Sequence, residues 1–409
     1  MQSLRLLRAR HTGIKQLPGS VEMLRNLTRL DVRGRNLEAK RRFSQTRVLP
    51  VVSLSKFISI LRLSYCGFDV PRDIGKLSML LCLDLSGNSF LYVPFDFSKL
   101  PLLMSLCLND WENLQTLPSI SNLAYLTTLE LRNCQKLVKI TGLDNLPSIY
   151  EIDMINCTSL QNPFSEGFFS APALSIPSRK HQLYEMKVSL RINLESNEIP
   201  DWCSNKVTAP SICLIMPTVH NNKLLGMVLW FVCHFGNVTS RLQEFDVTIG
   251  QPSAFFRTWV PDSEGEVSCV YYLSFSNGRP FNGLNIIKGG EQIRVEDRTG
   301  GAVVKKIGVH LLYLDQHGNV TSLPAVVDHS YTPSYPQRLS AGHVNSNNNN
   351  TSTEIPQVRS VTVGINEQSS ESVFSTMENV FHRNRPWTWI YQMITVPLKC
   401  LFGKCFSGD

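Results

Sequence analysis

A six-residue pattern, apolar-x-x-apolar-x-apolar, returns down the first part of the chain at a nearly constant step. It reads MQSLRL from Met1, LTRLDV from Leu27, ISILRL from Ile58, LLCLDL from Leu80, LMSLCL from Leu103, LTTLEL from Leu126 and IYEIDM from Ile149. Successive starts lie 26, 31, 22, 23, 23 and 23 residues apart. Self-similarity of this kind leaves few folds open. One unit per period cannot bury its apolar side alone, so it must stack on copies of itself. Within each six, alternation sends neighbouring residues to opposite sides of a short strand, so inward and outward positions follow from phase.

Apolar-proline pairs punctuate the returns: Leu17-Pro18, Val70-Pro71, Val93-Pro94 and Leu117-Pro118. Proline ends a return segment without needing a backbone donor. Period and punctuation together match the leucine-rich repeat. Residues 1–161 are therefore expected to form about seven coils of an α/β solenoid, with the residues between the inward leucines lining a concave face.

Eight positions after the repeat starts stand Cys66, Asn88, Trp111, Cys134 and Cys157. A metal site needs several ligands converging on one ion. One residue per coil makes a ladder along the solenoid instead, so these side chains are expected to turn inward and pack against, or bond to, neighbouring backbone.

The outward positions carry charge. The fourth residue after each start reads Arg5, Asp31, Arg62, Asp84, Cys107, Glu130 and Asp153, with Arg8, Arg29, Arg33, Asp110, Arg132 and Glu151 beside them. The first three coils are thus basic and the last four acidic. A two-signed face favours a protein of complementary polarity over a uniformly anionic nucleic acid. Charge placed for solubility alone is the competing account. The net charge of +7 over 409 residues does not call for nucleic acid either. The 31-residue coil holds RGRNLEAKRRFSQTR (33–47), read as a solvated insertion, the alternative being a loop that touches an acidic partner.

After residue 161 the period is lost. A Pro- and Ser-containing linker is expected over 162–182, then an all-β sandwich over 183–328. Its strands show in the alternations Val188-Leu190-Ile192-Leu194, Ile212-Leu214-Met216 and Phe245-Val247-Ile249, and in the runs 224–233, 267–275 and 303–314. A Pro-, Ser- and Asn-rich flexible linker is expected over 329–380, leaving a largely disordered tail. Residues 381–409 bring two tryptophans, basic residues and Cys400 and Cys405. One reading is an acylated, amphipathic segment at a membrane surface; the other is a docked or disordered end.

EIPDWCSN (198–205), followed by a strand ending at Pro217 and by LLGMVLWFVC (224–233) and VKKIGVHLLY (304–313), resembles the domain after the repeats in a family of plant immune receptors. Those receptors join a Toll/interleukin-1-receptor domain, a nucleotide-binding domain and leucine-rich repeats. The resemblance spans about residues 1–328. It implies a jelly-roll-like fold for the post-repeat domain and recognition of a pathogen effector, or of a guarded host protein, by repeats and jelly-roll together. The chain departs from the family pattern at Ser196-Asn197 and at Cys203. It contains no G-x-x-x-x-G-K-[ST], so nucleotide switching and NAD cleavage do not carry over. Met1 falls inside a repeat that lacks a polar cap, so more protein is expected before it.

H-E-x-x-H, C-x-x-C and G-x-S-x-G are absent, and the nine histidines are scattered. The expectation is a binding protein, with no catalytic, metal or cofactor site. No secretory signal or spanning run of ~18 apolar residues occurs, so the cytoplasm is expected, with the nucleus or a peripheral membrane contact as alternatives. Expected partners are an effector or host protein, and the missing receptor domains or a paired receptor. A stand-alone adaptor or decoy that pairs with a full receptor is the alternative function.

Overall fold

The computed structural model describes residues 3–11, 19–34, 47–48, 54–66, 68–69, 72–88, 92–161, 163–170, 188–218, 222–234, 242–249, 253–259, 265–275, 289–297 and 303–332. The chain divides into two units, 1–342 and 343–409. The second, with the tail that carries Cys400 and Cys405, lies outside the described residues. So do residues 333–380 of the linker expected over 329–380, and residues 35–46 of the basic insertion at 33–47.

Each repeat contributes one short strand, and the strands stack in parallel. They are β1 (Leu6–Arg10), β2 (Arg29–Arg33), β4 (Ile60–Arg62), β6 (Cys82–Asp84), β7 (Ser105–Cys107), β9 (Thr128–Glu130) and β11 (Glu151–Met154). Two-residue ladders pair β3 (Arg47–Val48) with β5 (Phe68–Asp69) and β8 (Thr116–Leu117) with β10 (Lys139–Ile140). The pattern leucines do what their phase dictates. Leu30, Leu61, Leu83, Leu106, Leu129 and Ile152 are fully buried under the strands, against Leu27, Ile58, Leu80, Leu103, Leu126 and Ile149 from the approach to each strand. This is a leucine-rich-repeat solenoid, and it is mostly β.

The expected α/β alternation does not show in the described returns. Their helical turns are 3-10, at Gly19–Met23, Arg72–Lys76, Phe97–Lys99 and Leu143–Asn145, beside the short strands β3, β5, β8 and β10. The physical reason is length. A coil of 22 or 23 residues spends its strand and two turns first, and the stretch that remains is cut by prolines such as Pro94 and Pro118. The described α-helix, α1 (Glu166–Ser170), comes after the last coil.

The sheet does not stop at β11. Strand β12 (Val188–Glu195) pairs in parallel with β11, then antiparallel with β18 (Glu266–Ser274). From there the same sheet runs through β15 (Lys223–His234) and β20 (Val303–Leu314) to β13 (Asn205–Val207), with β21 (Val320–Ser322) also on β20. A second sheet runs β17 (Ser253–Trp259), β16 (Leu242–Ile249), β19 (Gln292–Asp297), β14 (Ser211–Ile215) and β22 (Val326–Val327).

Two cores meet the continuous sheet, one on each side. In β15, Val228, Trp230 and Val232 point into the core shared with the coils, while Met227, Leu229, Phe231 and Cys233 point into the core shared with the second sheet. That double burial is why LLGMVLWFVC is an unbroken apolar run rather than an alternating one. It also changes what lies over the sheet. Across the coils, no described strand of this chain forms a second layer over the outward residues. Beyond β12, the equivalent positions Cys269 and Tyr271 are covered by Phe245, Val247 and Ile293 of the second sheet.

Candidate functional site

The strand register fixes which outward residues are neighbours. Down the centre of the open face runs a row Arg8, Asp31, Arg62, Asp84, Cys107, Glu130, Asp153 and Asn193. This corrects the first coil of the sequence reading. With Met1 as the repeat start, Arg5 would stand beside Asp31, yet β1 places Arg8 there. The coil starts at Leu4, 23 residues before Leu27, which restores the common step. Leucine is dense enough in MQSLRLLRA to permit both frames. The adopted frame turns Leu7 and Ala9 onto the coil core.

At the basic end three arginines close on one carboxylate. Arg10 meets Asp31 Oδ2 at 2.5 Å through Nη2, Arg33 Nε meets Oδ1 at 2.9 Å, and Arg62 Nη1 lies 3.6 Å from Oδ2. Burial would push the Asp31 carboxyl up. The hydrogen bond from Arg10 and the charges of Arg33, Arg10 and Arg62 outweigh it and hold Asp31 below the ordinary carboxylate range. Arg5 is exposed and Arg29 half-buried on the flank of this group. Arg10, which the phase argument passed over, is central to it.

The acidic end is built from amides as well as charges. Asn109 Nδ2 donates to Glu130 Oε2 at 2.9 Å, and Asn109 Oδ1 accepts from the Arg132 backbone N–H at 2.8 Å. Arg132 Nε donates to Asp153 Oδ2 at 2.7 Å, while Arg191 Nη1 lies 3.8 Å from Glu151 Oε1. Burial pushes Glu130 up to about 7 against the Asn109 hydrogen bond, and Asp153, Asp84 and Glu151 add to the rise. Burial raises Glu151 too, with Arg191 opposing. Burial runs along the whole row: Asp31, Asp84, Cys107, Asp153 and Asn193 are all buried. The acidic half is thus partly neutralised by Arg132, by Arg191 and by Glu130's own protonation.

A second row edges the face, two or three positions past the strand ends. Tyr65, Asp110, Asn133 and Asn156 all adopt left-handed backbone, at φ 56, 61, 60 and 59°, and Gly87 at 68° holds the same place. Tyr65, Gly87, Asp110 and Asn133 each donate the backbone N–H to a carbonyl of the next coil, as Asp110 does to Arg132 O at 2.7 Å, and Asn156 donates to Glu195 Oε2 at 3.2 Å. Their side chains form a chain of hydrogen bonds. Tyr65 Oη donates to Asp110 Oδ2, Asn133 Nδ2 to Asp110 Oδ1 at 2.6 Å, and Asn156 Nδ2 to Asn133 Oδ1 at 2.9 Å. The Tyr65 ring reaches Asp110 by crossing Gly87, where a Cβ would sit 1.9 Å from the ring. Asn, Asp and Gly tolerate this conformation best, so the spacing of Gly87, Asp110, Asn133 and Asn156 was a readable signal.

Beneath the face, the five ladder residues turn inward and bond to backbone. Cys66 Sγ donates to Val32 O (3.0 Å), Asn88 Nδ2 to Leu63 O (2.9 Å), Trp111 Nε1 to Leu85 O (2.8 Å), Cys134 Sγ to Leu108 O (3.3 Å) and Cys157 Sγ to Leu131 O (2.9 Å). Each bond ties a coil to the one before it. The nine described cysteines are all buried and free, and the described residues hold no group of three or more potential metal ligands.

The EIPDWCSN segment seals the junction between coils and two-sheet domain. Trp202 Nε1 donates to Phe164 O at 3.1 Å, and its ring contacts Phe169, Trp230 and His310. Gly308 lets the segment lie on β20: a Cβ there would come within 2.8 Å of Ile199 and 2.9 Å of Cys203. His310 is fully buried, with Ser204 Oγ 3.0 Å from Nδ1 and Glu166 Oε1 3.5 Å from Nε2. Burial lowers its pKa against the pull of Glu166. It is a packed group beneath α1.

No known family model matches the chain, and no curated protein does. Among solved structures, a leucine-rich-repeat protein of Leptospira interrogans matches at 19% identity and a TM-score of 0.19, over 39% of this chain and 65% of that one. The chain therefore spans less than two thirds of that protein's length. At that score the leucine-rich-repeat assignment rests on this chain's own coils.

Proposed function

We propose that the chain is the ligand-sensing module of a plant intracellular immune receptor. In this reading it recognises a pathogen effector or a guarded host protein across the open face of the coils and the adjoining loops of the two-sheet domain. That domain is then the jelly-roll-like element that follows the repeats. The observation that carries the reading is the continuity of one sheet from β1 to β13, which joins a charged open face to a two-sheet wall. A partner seated on the coils near β11 also lies beside the two-sheet domain, so both can contribute to one interface. Opposite charges along a single row set the partner's orientation and exclude like-charged competitors. Binding, rather than catalysis on a cofactor, is the activity proposed, with the cytoplasm as its place.

Mapping the 5′ end of the transcript tests the receptor assignment. Upstream exons that join in frame and encode a P-loop domain are the expected result. Transcription that begins just before Met1 would overturn it in favour of a free-standing adaptor or decoy. The binding surface has its own test. Reversing Glu130, Glu151 and Asp153 to Lys should weaken capture of the protein partner, and unchanged affinity would remove the open face from the interface.

A further inference from the structure

The four arginines around Asp31 outnumber the carboxylates near them, Asp31 itself and Asp84 beside Arg62. Arg10, Arg33 and Arg62 all reach the Asp31 carboxylate. Arg8 stands opposite it in the register of β1 with β2, in no ion pair among the described residues. Asp31 forms the floor, with its side chain 4% exposed, and the side chains of Arg10, Arg33 and Arg62 rise to 28, 16 and 12%. An anchored carboxylate below and arginines above hold the guanidinium forks in place before any ligand arrives, so little side-chain freedom is lost on binding. Like charges also crowd one another here. Burial and the neighbouring charge of Arg10 lower the pKa of Arg8, Asp31 opposes them, and Arg62 and Arg33 add to the lowering.

The excess positive charge calls for an anion, and the shape of the group narrows its kind. Guanidinium forks match phosphate oxygens in pairs, and a dianion offsets the excess better than a single carboxylate. A nucleic acid fits poorly. The row turns acidic at Asp84, directly beside Arg62 across β4 and β6, and continues to Glu130 and Asp153. A long polyanion laid along the face would meet those carboxylates within a few strands, whereas one isolated phosphate would not. We propose that Arg8, Arg10, Arg33 and Arg62 around Asp31 form a binding site for a phosphate monoester borne on a segment of a protein partner. The inference rests on the open face being a protein-binding surface and names the chemistry recognised at its basic end.

The test titrates the full chain, by fluorescence polarisation at low salt, with a phosphoserine peptide library of degenerate flanks. An unphosphorylated library, inorganic phosphate and adenosine monophosphate are run beside it. The phosphorylated library should bind about 10-fold tighter than its counterpart, weaken as salt rises, and lose roughly that factor in Arg8→Gln/Arg10→Gln. Lys139→Gln, exposed on β10 away from the group, should leave binding unchanged. Arg8→Lys, which keeps the charge without the fork, should fall between. Amide exchange in β9 and β11 reports that each variant remains folded. Equal binding of the two libraries, or full binding by the double variant, would overturn the site. Tighter binding of adenosine monophosphate than of the phosphopeptides would overturn the peptide-borne source. The receptor reading fails on different data: phosphopeptide binding with transcription starting at Met1 would retain the site and discard the receptor.

Discussion

Asp31 and Glu130 occupy the same place in their coils, on one row of one sheet, and their chemistry runs in opposite directions. Both carboxyls lose water to the strand floor. At Asp31 the neighbours are guanidiniums, and the pKa falls. At Glu130 the hydrogen-bond partner is an amide and the charged neighbours include Asp153, Asp84 and Glu151, so the pKa rises to about 7. The coil supplies a position and a degree of burial; the residues on adjoining strands decide the sign. A repeat scaffold can therefore place an anchored cationic group and a proton-bearing acidic group on one surface without changing its backbone.

The largest expected effect comes from removing the anchor. Asp31→Asn removes the carboxylate that Arg10, Arg33 and Arg62 share, at a cost of about 3 kcal/mol at pH 7. A depressed folded pKa contributes stability that is present above the unfolded value, 3.8, and lost as pH falls through the folded value. The gap between wild type and variant should therefore close in acid. Denaturant titration at pH 7 and pH 3, with amide exchange in β2 and β4, reads both; equal stability at pH 7 would mean the carboxylate is no anchor.

Next comes the link between the two ends. Gly87→Ala places a Cβ on the Tyr65 ring and in left-handed backbone, so Tyr65 must leave Asp110. The expected cost is about 2 kcal/mol, and Tyr65→Phe, which loses only the hydroxyl, about 1 kcal/mol. If the two variants melt alike, the ring does not occupy the space over Gly87.

Glu130→Gln should act in the other direction. Its folded pKa is raised from 4.5 to about 7, so ionisation is penalised in the fold, and the penalty grows as pH rises from the unfolded value through the folded one. Glutamine keeps an acceptor for Asn109 without the charge. The variant should be more stable than wild type by about 1–2 kcal/mol at pH 8 and indistinguishable at pH 4. A destabilised variant at pH 8 would show that Glu130 is held by its charge, as Asp31 is.

What the sequence disclosed follows the same division between coil and neighbours. Period and phase are local, so the buried leucines, the inward ladder from Cys66 to Cys157 and the runs that become β15, β18 and β20 were legible. Which strands adjoin is not local. The alternation of Val188 to Leu194 marks β12 as a strand, yet nothing in it says that β12 extends the coil sheet and brings Arg191 to Glu151. A leucine-dense first coil admits two frames, one of which puts Arg5 in the place of Arg8. The 23-residue step that most coils share chooses between them. Arg10, Asn109 and Tyr65 escaped because they act across coils, from positions a phase count does not single out.

The smallest expected effect separates the face from what lies under it. Cys66 sits below the basic end and Cys134 below the acidic end, and each thiol donates to a carbonyl of the preceding coil. If the contrast between Asp31 and Glu130 belongs to the open face alone, the ladder beneath should not register it. Cys66→Ala and Cys134→Ala each remove one buried sulfur and one weak donor, at about 1 kcal/mol apiece. The two losses should agree, and neither should vary between pH 5 and pH 8. Paired denaturant titrations at both pH values measure this. A loss at Cys134 that tracks the titration of Glu130, with none at Cys66, would show that charge on the face reaches into the coil core.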